Sequence, residues 1–152
     1  MGAAPSLTAA MTGHYYAGSR NRFWRLLHQS GFTPHELNAE DDYQVLQYGI
    51  GLTAILPHFI SADNSMLPAP TDEDRERLHE KLIHLSPRFI CYNGKDVWRM
   101  CTEELDCHWG LQTELLGESR QFVVHSSSGR ADRWGADRLF LFRELHQLVN
   151  QK

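Results

Sequence analysis

Two stretches of this chain carry side chains suited to a flat ligand beside a phosphate surface. The first is Gly13-His14-Tyr15-Tyr16-Ala17-Gly18-Ser19-Arg20-Asn21-Arg22-Phe23-Trp24, where two glycines and paired tyrosines in a loop run into a basic, aromatic helix start. The second is Ser126-Ser127-Ser128-Gly129-Arg130, in which a glycine permits close backbone approach and the next side chain is a planar cation. Taken alone, each has an ordinary reading: loop tyrosines commonly pack, and a Ser-rich turn commonly exposes an arginine to water. Asn93-Gly94-Lys95 adds a polar strand-to-helix turn, with Lys95 structural or phosphate-facing. Cys101, Cys107 and His108 match no common zinc spacing and show no fourth ligand, so no metal is expected.

The elements that must position these groups are legible from hydrophobic pattern. Arg88–Asn93 and Gln121–His125 read as short strands buried on both faces, and Tyr48–Thr53 reads as a third. Helices are expected over about 19–30, with Phe23, Leu26 and Leu27 inward, and over about 72–85 after a Thr71 cap, with Leu78, Leu82, Ile83 and Leu85. Gly94-Lys95-Asp96 opens another, and Ala136 to about Val149 closes the chain on a stripe of Leu139, Phe142, Leu145 and Leu148. Strands alternating with helices imply an α/β fold of three α/β/α layers with a mainly parallel central sheet. Ligands in such sheets sit at the carboxyl ends of the strands, where Thr53, Asn93 and His125 would emerge.

The chain has 152 residues, which fits one domain spanning 1–152 that buries roughly 70% of its unfolded surface without staples. Its formal charge of −4 excludes a uniformly basic nucleic-acid binder, so DNA contact would need local clusters. Arg20, Arg22 and Arg25 form one such cluster and Arg130, Arg133 and Arg138 another. Three cysteines and no leader-like start point to a reduced, intracellular protein, cytoplasmic and nucleoid-associated, or nuclear in a eukaryote. No apolar run approaches the ~20 residues of a membrane span.

With Gly2-Ala3-Ala4-Pro5-Ser6-Leu7 ahead of it, the first stretch resembles the opening active-site motif of the mismatch-specific uracil/thymine DNA glycosylases, of the uracil-DNA glycosylase superfamily. Tyr48-Gly49-Ile50-Gly51-Leu52-Thr53 with Asn93-Gly94-Lys95, and then Phe122 to Arg130, resemble the second and third conserved regions in family order. The resemblance implies a monomeric, cofactor-free enzyme that flips a nucleotide out of mispaired double-stranded DNA and hydrolyses its N-glycosidic bond. It implies Tyr16 as the ring against the flipped base, Ser6 and Ser128 as further base contacts, and Gly129 with Arg130 as the plug that fills the vacated stack. Arg20 and Lys95 would contact DNA. A shift of register by one residue would instead make His125 the donor to the base carbonyl. The family also places a strand just ahead of its first motif, and Met1 is the only residue preceding Gly2 here.

Two positions depart from the pattern. Ala4 stands where the resemblance puts a water-positioning asparagine, and Ala54 stands where some relatives carry an alternative acid. A methyl group neither orients nor activates water, and a positioned acid or base contributes about 10²–10⁴-fold. Asp63 and Asn64 follow at a distance from which they could supply a polar group, although Asp-Asn pairs commonly form turns. The expectations are therefore a glycosylase for uracil or a related deaminated base, or a lesion-binding module of the same family that has lost turnover. A hydrolase of small nucleosides is a third reading, which would leave Arg130 and the N-terminal arginines no polymer to touch.

Overall fold

The computed structural model describes residues 1–61 and 63–151. Its three-stranded sheet consists of β1 (Phe89–Asn93), β2 (Gly110–Leu116) and β3 (Ser119–Val124), in the order β1-β3-β2. β1 lies parallel to β3, with Phe89 opposite Arg120 and Asn93 opposite Val124, whereas β2 is antiparallel to β3. One parallel and one antiparallel pair replace the mainly parallel sheet expected from sequence. The difference is the hairpin: β2 returns through a two-residue turn at Gly117-Glu118 and so cannot run with β3.

The sheet edge is continued by backbone hydrogen bonds at β1. The Met1 amino group donates to the Cys91 carbonyl at 2.7 Å and Asn93 N–H donates to the Met1 carbonyl at 2.9 Å. Gly2 in turn forms a parallel bridge to Ala54, with Gly2 N–H donating to the Thr53 carbonyl at 2.9 Å. Met1 thus pairs the β1 edge at Cys91 and Asn93, and Gly2 links that edge to the Thr53–Ala54 segment. Tyr48–Thr53 is not a strand. Tyr48 ends a 3-10 segment, Ala39–Tyr48, which Gly49 caps at φ 71°, and only the residues beyond it reach the bridge.

Among the described residues there are also five α-helices, α1 (Leu7–Thr12), α2 (Phe23–Ser30), α3 (Asp72–Leu85), α4 (Lys95–Thr102) and α5 (Gly135–Asn150), besides short 3-10 segments. The strand alternation sorts them into layers, because successive side chains point to opposite faces. Ile90, Tyr92 and Val123 pack with Leu78, Leu82, Val97 and Trp98 of α3 and α4. Phe122 and Val124 pack on the other face with Phe23, Leu27, Leu141, Phe142 and Leu145 of α2 and α5.

α3 begins where a capping box forces it to: the Thr71 hydroxyl accepts from Asp74 N–H while the Asp74 carboxylate accepts from Thr71 N–H. Of its expected inward residues, Leu78 and Leu82 are buried but Ile83 and Leu85 are exposed. Ile83 stands about 100° round the helix from Leu82, and Leu85 lies in the last turn before the Ser86 cap. α2 starts later than expected, at Phe23, whose N–H donates to Asn21 Oδ1 at 3.0 Å. Among the described residues no helix is long and apolar enough to cross a membrane.

Candidate active site

A cleft of about 700 Å³ opens at the carboxyl ends of β1 and β3, where an α/β sheet ordinarily binds its ligand. Its wall is built from the Ala4–Ser6 turn, His14 to Tyr16, Ala54, Asn93, Ser126, Ser128 and Arg130. The two glycine loops and the strand-end turn singled out in sequence therefore converge on one cavity.

Tyr16 stacks on Phe23, with ring centroids 4.0 Å apart and planes inclined by 24°, so the phenol ring is backed by the α2 core. Its backbone is left-handed, at φ 54°. The other non-glycine residues in that region, Ser86 and Glu103, are helix C-caps, whereas Tyr16 caps nothing. Such a conformation is uncommon for a bulky residue and is held by its surroundings. Burial pushes the Tyr16 phenol well above its ordinary range, and the Asn93 amide pulls it the other way.

Asn93 organises the opposite wall. Its Nδ2 donates to Ser127 Oγ at 2.8 Å, and its Oδ1 accepts from Ser127 N–H at 2.8 Å. This two-point clamp fixes the loop that carries Ser128, Gly129 and Arg130 to the end of β1. Asn93 was readable as a strand end, but its role in the wall was not assigned from sequence. The signal was present, since the last residue of a strand before Gly-Lys at a helix start is where α/β sites recruit polar groups.

The sequence candidates occupy different positions. Ala4 and Ala54 both line the cleft, where a polar group was expected, and Ala4 also packs against the core beneath it. The Ser6 hydroxyl is at the rim but accepts from Ala9 N–H at 3.2 Å as the cap of α1. Ser128 caps the 3-10 turn Gly129–Trp134 in the same way, accepting from Arg130 N–H at 3.4 Å. Arg130 is 66% exposed at the mouth and forms an ion pair with Asp63. Asp63 and Asn64 line the cleft, and Asp63 also accepts from Ser65 N–H, the bond that chiefly holds its carboxyl down to about 2, followed by Arg130.

Gly129 is tight against protein. A Cβ on it would stand 2.8 Å from the Arg20 carbonyl oxygen, so its missing side chain admits the Arg20 loop. Arg22 N–H donates to the Ser127 carbonyl at 2.7 Å, tying the same two loops together. Two arginines assigned to basic clusters in sequence are paired within the protein. Arg138 is buried and donates to the Ser126 and Ser128 carbonyls at 3.0 and 3.1 Å, and Arg22 and Arg138 both pair with Asp132. Arg20 is exposed, and Lys95 donates to the Cys107 carbonyl at 2.7 Å. His125 does not line the cleft; it is buried between the rings of Trp109 and Trp134, and burial lowers its pKa below the ordinary histidine value.

A cavity at strand ends, walled by an aromatic ring and a strand-end asparagine with an arginine at its mouth, coincides with a family match over nearly the whole chain. The sequence model of the Uracil DNA glycosylase superfamily matches residues 1–149. The chain belongs to the uracil-DNA glycosylase superfamily. Members of this superfamily are typically DNA glycosylases, hydrolases that act on DNA in repair.

Proposed function

We propose that this protein is a monomeric DNA glycosylase that removes uracil, or a related deaminated base, from mispaired duplex DNA by hydrolysis, acting wherever the genome is held. The observation that carries the reading is the convergence of Tyr16, Asn93 and Arg130 on one cleft at the strand ends. A flipped base needs a flat wall, an edge to hydrogen-bond and something to occupy the gap it leaves. Tyr16 supplies the wall, backbone N–H groups of the first loop the edge, on a frame that the Asn93 clamp holds, and Arg130 the plug. Uracil opposite guanine is favoured because a mispaired base costs less to extrude.

In this reaction water oxygen bonds to the sugar anomeric carbon and loses a proton to solvent, the glycosidic bond breaks with its electron pair leaving on the base, and the base anion takes up a proton from solvent. With methyl groups at Ala4 and Ala54, barrier lowering falls on stabilising that leaving anion. Donors aimed at the developing charge act without a general base. Backbone N–H groups of the first loop are the groups available, since the Asn93 amide is engaged by Ser127.

The same two alanines favour a second reading, a module that recognises lesions without turning them over. Both readings use Tyr16 and Arg130, and one experiment separates them. Strand-labelled duplexes containing uracil, hypoxanthine or thymine opposite guanine are incubated with excess protein and treated with alkali. Cleavage at uracil supports the glycosylase; tight, lesion-selective binding without cleavage supports the module.

A further inference from the structure

At the rim of the cleft and beyond it, five side chains form a continuous stack, three rings between two cations. Lys95 Nζ lies 4.7 Å from the Trp109 ring centroid, Trp109 lies 3.9 Å from the His125 ring, and His125 lies 5.0 Å from Trp134 at an interplanar angle of 9°. The Arg133 guanidinium closes the far end, 5.2 Å from the Trp134 ring. The antiparallel hairpin creates this arrangement. Gly110 pairs with Val123, so the residue before β2 arrives at the same end of the sheet as the residue after β3. Gly110 sits at φ 90°, a turn that a side chain would resist, and it swings Trp109 over His125.

The stack is expensive to expose without a purpose. Trp109 and Trp134 are 42% and 40% exposed, while Trp24 and Trp98 are buried in the cores. Burial favours the neutral form of His125, whose surroundings include Asp137, Arg138 and Lys95, so the centre of the stack adds no repulsion to its cationic ends. Arg133 and Trp134 also line the cleft, whereas Lys95 and Trp109 stand beyond it. The row therefore leads from the cleft rim outward across the start of β2. Lys95 has only the Cys107 carbonyl as a hydrogen-bond partner, and neither cation is in an ion pair among the described residues.

We propose that Lys95, Trp109, His125, Trp134 and Arg133 form a phosphate-gripping ladder that holds the DNA backbone beside the cleft. The proposal rests on the duplex-DNA reading of the cleft and adds a second contact surface to it. A ring beneath each cation restricts its motion while leaving its charge unneutralised, so less freedom is lost when a phosphate binds. The chain is net acidic, and a local pair of held cations is the form that phosphate affinity must then take. Trp109 and Trp134 act here as positioning residues.

The test uses a short, undamaged, fluorescein-labelled duplex, titrated by anisotropy at several salt concentrations. Lys95→Gln and Arg133→Gln are each expected to lower the salt slope by about one unit. Trp109→Leu keeps every charge, yet is expected to weaken binding as much as Lys95→Gln, with no further loss in the double variant and recovery in Trp109→Phe. Wild-type affinity in Trp109→Leu, or additive losses in the double variant, would overturn the ladder.

Because a Trp109 variant can lose its fold, the wild-type protein supplies an independent reading. Iodide reaches Trp109 and Trp134 but not the buried pair, so duplex should protect the fluorescence from quenching; unchanged quenching at saturating duplex overturns the proposal. Excision of uracil by ladder variants with unaltered salt slopes would sink the ladder and leave the glycosylase standing. Ladder-dependent binding without excision does the reverse.

Discussion

Arg130, the side chain at the mouth of the cleft, is ion-paired with Asp63 on the opposite rim. To enter a duplex it must leave that carboxylate, so the pair competes with insertion. The Asp63 carboxyl is held at about 2, first by Ser65 N–H and then by Arg130, so it stays charged at any pH at which DNA is intact. Salt, not pH, should loosen the contact. Asp63→Asn is expected to raise affinity for uracil-containing duplex by up to about fivefold at low salt, the scale of an exposed ion pair, and to lose that advantage at high salt. Equal affinities of variant and wild type at both salt levels would show that the pair does not restrain Arg130.

Asp132 gives the pH dependence of stability its sign. Hydrogen bonds from Arg22 and then Arg138 hold its carboxyl at about 2, below the unperturbed 3.8. A depressed carboxylate contributes stability that is present above 3.8 and disappears as pH falls through about 2. Asp132→Asn should therefore be less stable than wild type at neutral pH and converge with it toward pH 2, followed by thermal melts across the acid range. A constant gap down to that pH would remove Asp132 from the acid-sensitive groups.

How much of this was written in the sequence depends on how local the cause is. β1 and β3 are runs of apolar residues with both faces covered, and their pattern survives without knowledge of partners. β2 was missed because Gln112-Thr113-Glu114 at a sheet edge looks like loop, although Leu115-Leu116-Gly117-Glu118-Ser119 holds a hairpin turn. Ile50 and Leu52 made Tyr48–Thr53 look like a strand, and Gly49, left-handed at φ 71°, turned the chain instead. The cleft wall was visible residue by residue, but the Asn93–Ser127 clamp joins positions 34 apart and leaves no periodic trace. Arg138 misled for a similar reason. An arginine is ordinarily exposed, and only the loop carbonyls folded over it make burial affordable.

Gly129 offers a steric test of the loop geometry. A methyl group there would meet the Arg20 carbonyl oxygen at 2.8 Å and the Arg20 Cβ at 3.0 Å, and neither can swing away as a side-chain tip could. Gly129→Ala should cost about 1–3 kcal/mol of stability by overpacking and reduce excision as Arg130 is displaced. A variant with wild-type melting temperature and activity would mean that the two loops separate freely.

For Tyr16, the expected signature is selectivity. The ring faces the cleft and is backed by Phe23, so it meets a base only after flipping. Tyr16→Ala should weaken binding to uracil-containing duplex by about 1–3 kcal/mol, the range for a base stacked on an aromatic ring, and leave undamaged duplex nearly unaffected. Equal losses on both duplexes, with melting lowered, would assign Tyr16 to packing.

The alanine at position 4 is the sharpest point of contact between sequence and chemistry. It lies on the cleft wall with Ala54, and neither side chain can hold a water molecule against the sugar. The adjoining backbone is well anchored, since Leu56 N–H donates to the Ala3 carbonyl at 2.8 Å, so a new side chain at position 4 would project from a fixed frame. Ala4→Asn is expected to raise single-turnover uracil excision at least about tenfold, the lower part of the range for a positioned polar group. Binding to a duplex carrying an uncleavable uracil analogue should change far less, because the added amide acts on water and not on the base. A variant that folds and binds as wild type but excises no faster would show that chemistry here is limited by departure of the base, with the attacking water already in position.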